Sequence, residues 1–165
     1  MRGWRTLKEP EATQVWDSVY GGLKFSPSVS RWPGFQEPTP SVTFALPERW
    51  SEADVDELYA CFWTAFRMLT RPGEEVYALD WQHECFAYAP QAGDVPVRGH
   101  PFTHGLFPDG DYAITLGPGL AWGTLGHPWE RTLCVFGAPL LKALAPLPVP
   151  LLSRRVRQDG QVVQP

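Results

Sequence analysis

Apolar positions recur along this chain with two different periods. Between Glu52 and Leu69 the period is helical: Val55, Leu58, Phe62, Ala65, Phe66 and Leu69 form one stripe, which Tyr59 and Trp63 widen. Ser51 stands at the N-cap with Asp54 in the capping-box position, and Trp50 and Val55 are spaced for a hydrophobic staple. Glu52, Asp54, Asp56 and Glu57 crowd the first half while Arg67 and Arg71 lie at the other end, which complements the helix dipole. Arg71-Pro72-Gly73 stops the run. The same period predicts a shorter helix over Pro10–Tyr20, with Ala12, Val15, Trp16 and Val19 on one face and Gly21-Gly22 as its stop. A third covers Ala138–Leu144, with Pro139 in its first turn.

Elsewhere the period is two or the run is continuously apolar, and both read as strands. These are Ser41–Leu46, Val76–Trp81, Cys85–Ala89, Asp111–Leu116, Leu120–Leu125 and Thr132–Phe136, with a short strand at Leu23–Ser28. Gln82-His83 turns one hairpin and Gly117-Pro118-Gly119 another. A loop rich in Pro and Trp fills Val29–Pro40, and a long Gly/Pro-rich connection fills Pro90–Pro108. Helix, strand, long helix and then adjacent strands is not a βαβ alternation. It predicts one α+β domain over residues 1–145, a mostly antiparallel sheet with two or three helices packed on one face. Residues 146–165 read as a Pro-rich, then polar tail, in which Asp159-Gly160 turns a weak hairpin or the chain frays.

Composition narrows the functional classes. Eight Trp, nine Phe and five Tyr among 165 residues are too many for a dry core alone, so several should line a groove or a half-buried surface. A net charge of −4 argues against a nucleic-acid partner. The one basic cluster, Arg154, Arg155 and Arg157, reads as a solvated tail, with a phosphate or partner contact as the sharper alternative. Cys61, Cys85 and Cys134 are odd in number and unpaired in spacing, which predicts reduced thiols. The first ten residues carry no apolar signal segment, and the apolar run 138–152 is broken by Lys142 and four prolines, so neither secretion nor a membrane is expected. A cytoplasmic protein is the expectation.

Candidate chemistry is sparse. No Gly-x-Ser-x-Gly elbow, P-loop or dinucleotide fingerprint occurs, so no cofactor is expected. His100 and His104 are four apart, but Pro101 and Gly105 disfavour a helix, and no metal site is expected from them. Cys134 sits in an apolar strand, where a thiol is a poor nucleophile; Cys85 shares a strand face with His83. The candidate binding residues are Asp80, Trp81, His83, Asp111, His127, Trp129 and Glu130. They stand where plain turn formation would use Gly or Asn. The turn of His127 to Glu130 is expected beside the hairpin of Asp80 to His83. Trp81 and Trp129 would wall a shared groove, with Asp80 and Glu130 as acceptors and a histidine as the titrating group.

Several segments resemble the bacterial family DUF2716. They are Val15-Trp16-Asp17 with Phe25-Ser26-Pro27-Ser28, Pro40-Ser41-Val42-Thr43, and Tyr77-Ala78-Leu79-Asp80-Trp81-Gln82-His83. Pro108-Asp109-Gly110-Asp111-Tyr112 and Gly126-His127-Pro128-Trp129-Glu130 with Cys134-Val135-Phe136-Gly137 complete them. The resemblance covers about residues 10–142 and implies a bacterial cytosolic protein; it carries no activity, cofactor or catalytic residue. Two functions fit the residues. One is a non-enzymatic module that binds a protein partner or a small polar ligand, of the immunity or accessory type. The other is an enzyme that uses the Asp/Glu/His cluster on a small polar substrate. Convergence of those side chains in one concave pocket separates them.

Overall fold

The computed structural model describes residues 3–93 and 100–164. In chain order their elements are β1 (Trp4–Thr6), α1 (Glu11–Gly22), β2 (Ser41–Ala45), α2 (Glu52–Leu69), β3 (Val76–Asp80) and β4 (Phe86–Tyr88). Then follow β5 (Ala113–Leu116), β6 (Gly123–His127), β7 (Thr132–Phe136), α3 (Ala138–Leu144), β8 (Arg154–Gln158) and β9 (Gln161–Val162). The strands form one sheet in the order β1-β4-β3-β5-β6-β7-β2-β8-β9, and each neighbouring pair is antiparallel. The fold is α+β. The five runs expected after residue 75 are consecutive neighbours, β4-β3-β5-β6-β7, which keeps sequential strands adjacent in space.

Strand alternation divides the side chains between two faces. Val76 and Ala78 of β3 and Leu133 and Val135 of β7 join Leu58, Phe62, Ala65 and Phe66 of α2 and Leu140 of α3. The α2 N-terminus carries both bonds of the capping box, Ser51 with the Asp54 amide and Asp54 with the Ser51 amide. On the other face Leu79, Ile114, Leu116, Leu125, Cys134 and Phe136 meet Val15 and Val19 of α1 and Leu23, Phe25 and Phe35 of the loop after it. Helices therefore cover both faces, not one. The reason lies in the central strands: every residue of β5, β6 and β7 is buried, so each side needs a lid.

Other expectations change in detail. Residues 23–28 are not a strand. Only Ser26 and Gln36 bond across that loop, Pro27 and Pro33 lack donors, and Lys24 has φ 50°. Trp4–Thr6, to which the sequence pattern assigns no element, pairs with β4. The strand expected at residues 120–125 lies three residues later, because Pro118–Leu120 forms a 3-10 turn that the Gly117 amide closes onto the Trp122 carbonyl at 2.9 Å. α1 continues through Gly21 and Gly22 and ends at Leu23. The stretch after residue 146 is no frayed tail: β8 pairs with β2, and Asp159-Gly160 turns the hairpin to β9. Within the 90–108 connection, residues 94–99 lie outside the described residues, and Pro101–Gly105 forms a 3-10 turn. That turn seats on the sheet so closely that a Cβ on Gly105 would lie 2.9 Å from Ala78 Cα and Ile114 O. Among the described residues no helix is long and apolar enough to cross a membrane.

Candidate functional site

His127 ends β6 opposite Thr132 and is 0% exposed. A buried imidazole needs partners at both nitrogens, and it has them. The Glu130 amide donates to Nδ1 at 3.1 Å, and Nε2 faces the Tyr112 hydroxyl at 3.3 Å. Nδ1 is thus an acceptor, which assigns the proton to Nε2. Tyr112 in turn donates to the Ser28 carbonyl at 3.0 Å and accepts from the Ser28 amide at 2.9 Å. Burial pushes the His127 pKa down; Glu130 opposes this and Arg157 adds to it. Both ring nitrogens of His127 are thus engaged inside the protein, and it is not a residue of an open turn.

Glu130 is committed as well. Arg157 donates from Nη2 to Oε1 at 2.6 Å and from Nη1 to Oε2 at 3.0 Å, a bidentate clamp, while its Nε donates to Glu37 Oε1 at 2.7 Å. The side chains of Arg157, Glu130 and Glu37 are 13%, 11% and 1% exposed, so Arg157 is the core of an ion-pair triad and not a solvated tail residue. Thr132 donates to Glu130 at 2.9 Å and Thr43 to Glu37 at 2.9 Å. Burial resists ionisation of Glu130, but the Arg157 hydrogen bonds and charge outweigh it and hold the carboxylate below its usual range.

Aromatic side chains ring this nucleus. The Tyr112 ring lies 5.7 Å from Trp81 and 5.2 Å from Trp129, both edge-on, and 4.9 Å from Phe25. Trp32 stands 6.0 Å from His127, and Trp81 donates from Nε1 to the Tyr20 hydroxyl at 3.1 Å. Trp32, Tyr20 and Trp129 are 51%, 43% and 37% exposed. The two tryptophans expected to wall a groove thus meet at Tyr112, which lies between them.

The remaining candidates point elsewhere. Asp80 sits on the α2 side of β3, with His83 Nδ1 3.1 Å from Asp80 Oδ1 and 3.9 Å from Asp111 Oδ2. The Asp80 hydrogen bond and the charges of Asp80 and Asp111 raise the His83 pKa. One ring nitrogen and two carboxylate oxygens lie within 4.8 Å of one another, a donor set a divalent cation can use. A cleft of about 220 Å³ adjoins it, lined by Asp80, Asp109, Asp111, Tyr59, Thr103 and His104. Asp80 and Glu130 therefore share no groove. His100 Nδ1 accepts from the Phe102 amide at 3.1 Å, and the His104 ring lies 5.4 Å from Phe86.

All three cysteines are free thiols. Burial pushes Cys134 up to about 12 and also raises Cys85, whose sulfur meets the His83 carbonyl at 3.5 Å and not its ring. Ser28, Trp32, Glu37 and Tyr112 are not among the candidates expected from the sequence, and Arg157 was expected as a solvated tail residue or a phosphate or partner contact. One signal was available for two of them. Ser28 and Tyr112 lie in the segments that carry the family resemblance, and three such segments (25–28, 108–112 and 126–130) meet at the Tyr112 hydroxyl. Arg157 was marked only as part of a basic cluster, and nothing local paired it with Glu130, 27 residues away, or Glu37, 120 away.

Residues 6–141 match the family model described as "Protein of unknown function (DUF2716)". The chain is 30% identical over 169 residues to the uncharacterized protein YxiI of Bacillus subtilis (strain 168), covering 93% of this chain and 99% of that protein. No solved structure matches it.

Proposed function

This chain belongs to the DUF2716 family, and from that premise we propose that it is a non-enzymatic module that docks a protein partner on its aromatic rim. The observation that carries the reading is how the polar groups are spent. His127 uses both ring nitrogens internally, and Glu130 is clamped by Arg157. What faces outward over that locked nucleus is Trp32, Tyr20 and Trp129. Rigid, amphipathic aromatics held by a hydrogen-bonded base are the material of interface hot spots. A net charge of −4 favours a basic partner surface. An immunity or accessory protein would work in this way. Acid–base chemistry on a small polar substrate has less support. Its groups divide between the two faces of the sheet, with Asp80, His83 and Asp111 on one and His127 and Glu130 on the other. Free thiols suit a reducing compartment, and the reading assigns the protein to the cytoplasm.

The test starts with photo-crosslinking in cells. Benzoylphenylalanine is placed at Val29, 63% exposed beside the rim, or at Met68, 67% exposed on α2. A discrete protein adduct is expected at position 29 and not at 68. That protein, purified, should bind the wild-type chain and lose about 2 kcal/mol of affinity with Trp32→Ala or Trp129→Ala. Adducts of equal yield at both positions, or affinity unchanged in both variants, would discard the rim as the docking surface.

A further inference from the structure

The α1 face carries a second concavity at the end of the sheet remote from His127. It is a cavity of about 540 Å³, within the size range of small-molecule sites. Leu116 of β5 and Phe136 of β7 form its floor, and Val19 and Gly22 of α1 form one wall. None of its lining residues is ionisable, and only Ser18 and Thr39 bear a polar side chain. The Ser18 hydroxyl is turned back onto the Gln14 carbonyl at 3.0 Å. A charged ligand would lose its hydration there with no compensating partner.

Two residues shape the mouth of this cavity. Gly22 is the last residue of α1 and is exposed at the cavity wall. Its φ is not positive, and a Cβ built on it would meet nothing within 4 Å. No close approach calls for glycine there, and its bare Cα leaves the wall open. Leu120 is the converse. It adopts φ 57°, where glycine would sit without strain, and is 43% exposed at the cavity rim.

The walls also indicate the class of occupant. Pro38, Pro40 and Pro139 line the cavity and have no N–H, so an extended peptide would find no ladder of donors there. We propose that this cavity binds an uncharged, mainly aliphatic small molecule, with Gly22 leaving space for it and Leu120 covering it. This site is independent of the docking rim.

The experiment titrates the full chain with N-phenyl-1-naphthylamine, an uncharged fluorophore, and then competes it with 1-decanol or with decanoate. A saturable rise in emission is expected, with decanol displacing the probe at least tenfold more effectively than decanoate. Gly22→Leu should weaken probe binding at least tenfold without lowering the Tm. Leu120→Asp, at an exposed position, should do the same and decides the matter if Gly22→Leu folds poorly. Trp32→Ala should leave probe binding unchanged, which separates this site from the rim. Absence of saturable binding, equal competition by decanoate, or wild-type affinity in Leu120→Asp would overturn the proposal.

Discussion

The two faces of the sheet are held by different physics. The α2 face is an aromatic and aliphatic layer: Phe62, Phe66 and Trp122 pack ring against ring, and Phe66 and Trp122 stack at 5.0 Å. The α1 face has a shorter helix, an irregular Pro-rich loop and two polar clusters, Ser28–Tyr112–His127 and Glu37–Arg157–Glu130. Nonpolar packing is indifferent to direction, so the α2 face tolerates any partner of the right volume. The α1 face depends on named donors meeting named acceptors, and an unmatched group there costs its full desolvation. The first face therefore supplies stability, and the second a fixed geometry beneath an exposed rim.

Four measurements would sharpen or break this contrast. The largest effect belongs to the α2 face. Phe66→Ala, at a fully buried ring, should destabilise the chain by about 3–5 kcal/mol in urea titrations. A loss under about 1 kcal/mol would mean that α2 is not the main lid. Next comes Arg157→Met, which leaves Glu37 and Glu130 buried without their cation and should cost about 3 kcal/mol. The triple replacement of Arg157, Glu37 and Glu130 by apolar residues of similar volume should recover most of that loss, since the charges would go together. Failure to recover would assign the loss to shape and not to charge.

A smaller effect is read from pH. The folded His127 pKa lies below its ordinary value, so between the two values the unfolded chain binds the proton that the folded chain does not. Stability should therefore fall as pH drops below about 6.5, by at most about 1.4 kcal/mol per pH unit. His127→Gln should flatten that slope between pH 7 and 5.5. Glu130 acts in a lower window. Its depressed pKa gives stability that is present above the usual carboxylate range and lost as pH falls through the folded value. The smallest effect is at the rim: Trp32→Ala, half exposed, should change stability by under about 1 kcal/mol while weakening partner binding. A large loss of stability would make Trp32 a structural cover for His127.

The contrast also explains what was legible in the sequence. α2 and its capping box were readable because helical period and capping are local, set by residues three or four apart. The strands β3 to β7 were readable because turn residues separate continuous apolar runs. The α1 face was not, because its determinants are pairings across 84 and 120 residues. Asp80 and Glu130 looked alike as isolated carboxylates. One faces a cleft beside His83, the other a guanidinium, and only strand alternation and tertiary pairing distinguish them. The histidines show the same limit: His127 is buried, while the His83 side chain is 60% exposed.

The position of β2 has a consequence for how the chain is made. Residues 41–45 leave the ribosome early, yet they lie between β7 and β8, whose residues emerge far later. Until residue 157 has been synthesised, Glu37 and Glu130 are two like charges destined for one core site without their shared cation. The Glu37–Arg157–Glu130 cluster of the α1 face thus cannot form before residue 157 is available. A nascent chain stalled before the β8–β9 hairpin would leave β2 as an open sheet edge, exposed to chaperones and proteases.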